Sequence, residues 1–216
     1  RRARYKVFEQ AIETYGAELF LLAHNKNDQA EGVLLGLARG SGTKSLSGMK
    51  ERNGIYVRPF LSISREIIEQ ACQEAELEIW SDPHNGNLEF TRVRVRREVL
   101  PKIEDDLGPR IIDALSRSAK ILGEDAQALD EWAEKALSEI GLNNLDVSEL
   151  EKLPKAVRSR VLRRAIYAAG APSGSLTAEH LEPVESLVTA WKGQGACALP
   201  GGVKVSRISG RITLSK

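Results

Sequence analysis

Across residues 110–140, apolar side chains recur every three or four positions without interruption: Ile111, Leu115, Ala119, Leu122, Ala126, Leu129, Ala133, Ala136 and Ile140. That period is the one-sided stripe of an α-helix. At 1.5 Å per residue the helix spans roughly 45 Å. A small domain does not need so long a rod, so the pattern predicts two lobes joined by it. A bundle or coiled-coil helix carries the same stripe, and periodicity alone does not separate the two readings. With 216 residues there is room for one large domain or two small ones.

What precedes the rod alternates. A helix is expected over residues 2–15, with Val7, Phe8, Ala11, Ile12 and Tyr15 on one face. The apolar run 18–23 is short enough for a buried strand and stops at His24. Asp28 opens a second helical pattern (28–39) carrying Val33, Leu34 and Leu37. A Gly/Ser-rich loop (40–48) and a strand-like run (55–58) ended by Pro59 follow. Ser64 can cap a helix over 65–77, with Ile67, Ile68 and Ala71 inward. Residues 80–87 read as a loop, and 91–103 as a helix before the Gly108-Pro109 break. Alternation of this kind predicts an α/β fold with a parallel sheet covered by helices. After the rod come helices over 154–169 and 177–190. The last stretch, 195–216, reads as a small hairpin or meander broken at Pro200-Gly201-Gly202 and Ser209-Gly210.

Composition narrows the classes. Cys72 and Cys197 are far apart and show neither metal-type nor redox-type spacing, which fits a reducing, cytoplasmic setting. No apolar run approaches membrane-spanning length and no signal peptide heads the chain. The chain starts inside an apparent helix, as a fragment or processed piece would. Net charge is only +1, but residues 151–216 hold 11 Lys/Arg against 4 Asp/Glu, while 105–150 is acidic. Such asymmetry suits a polyanionic partner at the C-terminal end, and equally an unevenly charged surface.

Open α/β sheets bind ligands beyond the carboxyl ends of their strands, and His24, Asp28 and Glu31 sit at such an end. Asp28 and Glu31 are three apart and share a helix face; paired carboxylates there could hold an ammonium group. The loop Arg39-Gly40-Ser41-Gly42-Thr43-Lys44-Ser45 is no Walker loop, because Thr43 stands where Gly is needed and the loop follows a helix. Its backbone N–H groups can still form an anion-binding nest, or the loop is a plain connector. Arg92 with Arg96, and Arg94 with Arg97, share helix faces suited to phosphate or to a solvated surface. Arg160, Arg163 and Arg164 form a second basic face, with Arg158 nearer the apolar side. His84 and His180 are isolated, no His/Cys/carboxylate set has metal-ligand spacing, and no nucleophile elbow appears.

In order along the chain stand His24-x-x-x-Asp28-Gln29-Ala30-Glu31, Leu37-Ala38-Arg39-Gly40-Ser41-Gly42, Leu46-Ser47-Gly48-Met49, Arg58-Pro59-Phe60-Leu61 and Ser64-Arg65-Glu66-Ile67. Then come Trp80-x-Asp82-Pro83-x-Asn85, Phe90-x-Arg92-x-Arg94-x-Arg96 and Val99-Leu100-Pro101. Each piece is modest; their order and spacing resemble those of the tRNA(Ile)-lysidine synthases, a family of the PP-loop ATP-pyrophosphatase class. The resemblance implies a fold: part of a parallel-sheet, Rossmann-like PP-loop catalytic domain over residues 1–108. A mainly helical tRNA-binding domain ending in a β-hairpin follows over 109–216. It also implies a reaction, in which ATP adenylates C2 of the wobble cytidine of tRNA(Ile), the ε-amine of free L-lysine attacks that carbon, and AMP leaves.

The roles implied are as follows. Asp28, Glu31, Arg92 and Arg94 are catalytic, with Asp28 and Glu31 holding lysine. His24, Arg39, Gly40, Ser41 and Gly42 bind ATP, which comes with Mg²⁺, and Arg96, Arg97, Arg160, Arg163 and Arg164 bind the anticodon region of the tRNA. No membrane partner is implied, and a homodimer is open to the chain. The chain departs from the family pattern at Asn27, Gly32, His84 and Val93. The family's Ser-Gly-Gly-x-Asp-Ser nucleotide loop, which lies upstream of these motifs, is not among the 216 residues. The expectation is therefore an enzyme whose fragment is inactive alone. Two alternatives stay open: a PP-loop tRNA thiolase, disfavoured by the cysteine spacing, and a non-catalytic tRNA-binding module.

Overall fold

The computed structural model describes residues 2–40, 42–80, 82–142 and 145–216. They fall into two compact units, 1–126 and 127–216, which divide part-way along the long helix.

In the first unit, α1 (Arg2–Tyr15) leads to β1 (Phe20–Leu21) and α2 (Lys26–Leu37). Within the expected Gly/Ser loop lies a single helical turn, α3 (Thr43–Leu46). A short hairpin follows, β2 (Arg52–Asn53) and β3 (Tyr56–Val57), then α4 (Arg65–Glu74). β1 pairs parallel with β3 in the register Phe20↔Tyr56 and Leu21↔Val57, and β2 flanks β3 antiparallel. The expected strands are present but shorter than the apolar runs 18–23 and 55–58. Hydrogen bonds from Phe20 N to Ile55 O and from Leu22 N to Val57 O hold β1 against β3 at both ends.

α2 begins two residues before Asp28. Asn25 is its cap: its Oδ1 accepts from Asp28 N, and Asp28 Oδ2 accepts from Asn25 N, both at 3.0 Å. Asp28 is thus the third residue of a reciprocal capping box, which is why periodicity counted from the first carboxylate starts the helix late. The helix expected over 91–103 is α5 (Thr91–Arg94), a π-turn (Val95–Val99) and α6 (Leu100–Leu107) in continuous succession. Pro101 explains the π-turn. It has no N–H for the Arg97 carbonyl and its ring crowds that carbonyl, so the turn widens and Leu100 N reaches back five residues to Val95 O. The core here is small: Ala30, Val95 and Leu100, flanked by Leu34, Leu35, Ile112 and Leu115.

The long helix α7 (Ile111–Ile140) has the length its stripe implies. In the second unit its Ala133 and Ala136 pack into a core shared with α9 (Lys155–Ala168), α10 (Ala178–Thr189) and a four-stranded antiparallel sheet. That sheet runs β4 (Leu145–Asp146), β7 (Arg211–Ser215), β6 (Lys204–Ile208), β5 (Cys197–Ala198) in spatial order. β4 and the following α8 (Val147–Lys152) carried no legible signal. The expected break at Ser209-Gly210 is the two-residue turn of the β6–β7 hairpin, with φ of +48° and +77°. Positive φ at both central residues matches strand twist. Val205 and Ile212 face the core and are fully buried.

Candidate active site

The capping box fixes Asp28 by one oxygen, Oδ2, and turns Oδ1 outward from the first turn of α2 toward Arg92 and Arg96. Glu31, one turn on, shares that face. The expectation was an open pair of carboxylates, and the arrangement differs. Glu31 is 0% exposed and both its oxygens are occupied by guanidinium groups. Arg96 Nε donates to Oε1 at 2.6 Å and Arg96 Nη2 to Oε2 at 3.2 Å. Arg92 Nε donates to Oε2 at 2.7 Å. Arg65 Nη2 stands 3.6 Å from Glu31 and 3.8 Å from Asp28. Asp28 Oδ1 receives Arg96 Nη2 at 3.1 Å and Arg92 Nη2 at 3.3 Å. Burial alone would lower the pKa of Arg96, but its bond to Glu31 and the charges of Glu31 and Asp28 outweigh that and raise it. Glu31 is therefore the buried anchor of an arginine cluster, with no lone pair turned outward for a substrate ammonium. The sequence pairing of Arg92 with Arg96 is what allows both to reach it.

A cavity of about 330 Å³ lies beside this cluster, beyond the carboxyl ends of β1 and β3. Asp28 is the one carboxylate among its lining residues, against Arg4, Arg39, Arg58 and Arg92. His24 lines it as well. Tyr5 and Phe8 give it an aromatic wall, Tyr5 meeting Tyr56 edge-on at 5.0 Å and Phe8 stacking on Phe20 at 4.3 Å. Burial lowers the pKa of His24; Asp28 opposes that, and the charges of Arg58, Arg92 and Arg4 reinforce it. These influences together favour the neutral imidazole. Among the described residues, the buried side-chain atoms without a partner are His24 Nδ1, Tyr56 Oη and Arg58 Nε.

The far wall is built by Gln29. Its Nε2 donates to Met49 O at 2.9 Å and its Oε1 accepts from Met49 N at 2.7 Å, which pins the loop after α3 against α2. Gly48, at φ +64°, lies so close that a Cβ would come within 2.4 Å of Gln29 Oε1. Ser45, Gly48 and Met49 thereby line the cavity. Asn27, the first departure from the family pattern, accepts from Arg65 N at 3.0 Å and so holds the start of α4, which carries Arg65.

The other expected residues divide. Arg39 lines the cavity while its Nε is tied to Leu35 O at 2.8 Å. Gly40 and Gly42 are exposed and are not among the lining residues; Ser41 lies outside the described residues. Arg94, to which the resemblance gives a catalytic role with Arg92, donates to Leu88 O at 2.8 Å and Glu89 O at 3.0 Å, clamping the chain that enters α5. Two residues apart on a helix, Arg92 and Arg94 point to different sides. Arg96 is committed to the acidic cluster and Arg97 is exposed. In the second unit, Arg160 Nε pairs with Asp130 at 3.0 Å. Arg164 bonds Asp130 O at 3.0 Å and lies 3.4 Å from Glu134, and Arg163 bonds Leu176 O at 3.3 Å. Arg158 is buried against Glu185 at 2.7 Å. Sequence reading gave no role to Arg58, Gln29 and Arg65, although all three lie in motifs it noticed; Arg4 carried no signal.

Residues 1–103 match the PP-loop domain family and residues 145–213 the TilS substrate binding domain family. A tRNA(Ile)-lysidine synthase of Thermobifida fusca is 47% identical over 217 residues, covering 100% of this chain and 67% of that protein. The chain belongs to the tRNA(Ile)-lysidine synthase family. Proteins of that name from Streptomyces coelicolor (47% identical, 99% of this chain, 62% of that protein) and Mycobacterium tuberculosis (42%, 96% and 64%) agree. The chain spans about two thirds of the length of these curated relatives. Within this lysidine synthase family member, the cavity lies inside the PP-loop match. The substrate binding match covers β4 through most of β7. Among the described residues no helix is long and apolar enough to cross a membrane.

Proposed function

We propose that the protein carrying this chain ligates lysine to C2 of the wobble cytidine of tRNA(Ile) at the expense of ATP, and that the cavity beyond β1 and β3 is where the reactants meet. Residues 1–108 belong to the catalytic part and 109–216 to the tRNA-binding part. The observation that carries the reading is the cavity's lining: four arginines and a histidine around one partly exposed carboxylate, Asp28, whose Oδ1 already meets Arg92 and Arg96 and would exchange them for the lysine ammonium. Arginine forks suit the phosphates of ATP and the developing charge as pyrophosphate and then AMP depart. The wall of Tyr5 and Phe8 suits a stacked base. Asp28, at the cavity wall, takes the lysine ammonium. Glu31 acts one step back, holding Arg92 and Arg96 at the phosphates. His24, on the same cavity as Asp28 and biased toward the neutral imidazole, is placed to accept the proton the attacking amine sheds. Arg39 contacts phosphate. Arg94 steadies the loop before α5.

The residues fit ATP better than they fit a protein-held metal. No group of His, Cys, Asp or Glu among the described residues could hold a metal ion, so Mg²⁺ would be carried chiefly by phosphate oxygens, as is usual for that ion. The tRNA, a polyanion, is read to the basic stretch 151–216 together with Arg97. Arg160, Arg163 and Arg164, all on α9, share in it alongside their internal bonds. The curated relatives bear the synthase name, which supports this reading over a thiolase or a non-catalytic module.

The test is incorporation of labelled lysine into a tRNA(Ile) transcript by the purified natural protein. Incorporation is expected to require ATP and a cytidine at the wobble position. Incorporation that persists with another base there, or no incorporation despite tRNA binding, removes the reading.

A further inference from the structure

We infer that Arg58, together with His24, forms an oxyanion-binding subsite in this cavity, taking either a phosphate of the nucleotide or the α-carboxylate of the amino acid. Arg58 is 5% exposed yet lines the cavity. Its backbone N–H bonds Glu51 O at 2.7 Å and its Nη1 donates to Lys50 O at 2.8 Å, so the group is held from two directions. The bond from Nη1 uses one edge of the fork. The other edge, which carries Nε, is the one that pairs side-on with a carboxylate or phosphate, and Nε is buried without a partner.

A buried N–H left unmade costs about 1–3 kcal/mol, and such a group in a native fold calls for an explanation. A second one belongs to the same cavity. His24 Nδ1 is also buried and unpartnered, His24 lines the same cavity, and Arg58 is close enough for its charge to depress the histidine pKa. The two residues follow β1 and β3, the strands paired in parallel, so the fold brings both to one end of the sheet. One oxyanion accepting from Arg58 Nε and from the Nδ1–H tautomer of His24 completes both groups. Asp28 on the same cavity offers the complementary site for an ammonium, which is the charge pattern an amino acid presents.

This subsite deepens the nucleotide-and-lysine reading, and the experiment separates the two. The natural protein is labelled with ¹⁵N at arginine, and the Arg58 Nε–H resonance is assigned by its loss in Arg58→Lys. The sample is titrated separately with ATP, with lysine and with inorganic phosphate. The Arg58 resonance is expected to move downfield and saturate with at least one of them. Arg58→Lys is expected to weaken that ligand about tenfold while leaving the other reactant within twofold; which reactant weakens identifies the oxyanion. A response to phosphate with no binding of ATP or lysine keeps the subsite and removes the proposed reaction. A resonance unmoved by all three, or Arg58→Lys binding each ligand like the wild type, leaves Arg58 as a purely structural tie to Lys50 and overturns the inference.

Discussion

Glu31 has the most consequential environment of any single residue. A fully buried carboxylate survives only when its lone pairs are met, and here three arginines converge on it. Removing its charge strands guanidinium groups that are themselves partly shielded. Arg92 is 45% exposed along its side chain and can turn to water, so the loss falls toward the lower end for a broken buried pair. Glu31→Gln is expected to destabilise the fold by about 3 kcal/mol in urea unfolding; a change within about 0.5 kcal/mol, the range of ordinary surface substitutions, would show that the arginines are held elsewhere. His24 carries a pH signature. Burial, with Arg58, Arg92 and Arg4, lowers its folded pKa below the ordinary 6.5 despite the opposing charge of Asp28. Below 6.5 the unfolded chain therefore takes up a proton that the folded site resists. Its stabilising contribution is whole above that pH and is lost as pH falls through the depressed value. In acid titrations of stability, His24→Asn is expected to flatten the decline below pH 6.5, and an unaltered slope would place the titrating group elsewhere.

At the scale of elements, the site depends on where helices start and where they widen. The capping box starts α2 so that Asp28 is fixed by Oδ2 and presents Oδ1 to Arg92 and Arg96. The π-turn before Pro101 sets the register of the helix that carries Arg92 and Arg96. Gln29 joins α2 to the loop after α3 through two bonds to Met49, across a glycine that leaves no space for a methyl group. Gly48→Ala combines left-handed strain of roughly 1–2 kcal/mol with displacement of that clamp. It is expected to lower stability by about 2–3 kcal/mol and to weaken ATP binding, measured by calorimetry on the same preparation; a variant as stable as the wild type would mean the loop is not pinned there. Element types were legible because apolar period and length distinguish helix from strand, as in α7 and α10. What was not legible was partnership. Helix spacing already separates Arg92 from Arg94, but it does not say that Arg94 is spent on Leu88 O and Glu89 O. It puts Asp28 and Glu31 on one face without saying that the face meets three arginines, one of them 34 residues beyond Glu31 in α4. β4 and α8 are too short for periodicity to register.

On the scale of the whole molecule, the two units are unequal. The second holds a broad core contributed by α7, α9, α10 and the antiparallel sheet, whereas the first has a small cluster around Ala30, Val95 and Leu100 and relies on polar ties around α2. Local opening follows buried apolar contact, so amides of α9, α10 and the β6–β7 hairpin are expected to exchange at least tenfold more slowly than those of α2 and α4; equal rates would contradict a separate core in residues 127–216. The family motifs pointed to the first unit, where the arginine-lined cavity lies, and charge counting pointed to the basic last third. How far those basic residues are committed was not readable, because arginines that look free in sequence are partly spent on Asp130, Glu134 and Leu176.

Everything assigned to the cavity rests on Asp28 as the seat of the lysine ammonium, and steady-state kinetics of lysine incorporation by Asp28→Asn address that directly. Loss of one charged contact should raise the lysine KM about tenfold, equivalent to about 1.4 kcal/mol, with the ATP KM held within twofold. Lysine and ATP constants that rise together, or a lysine KM that does not move, would contradict the assignment.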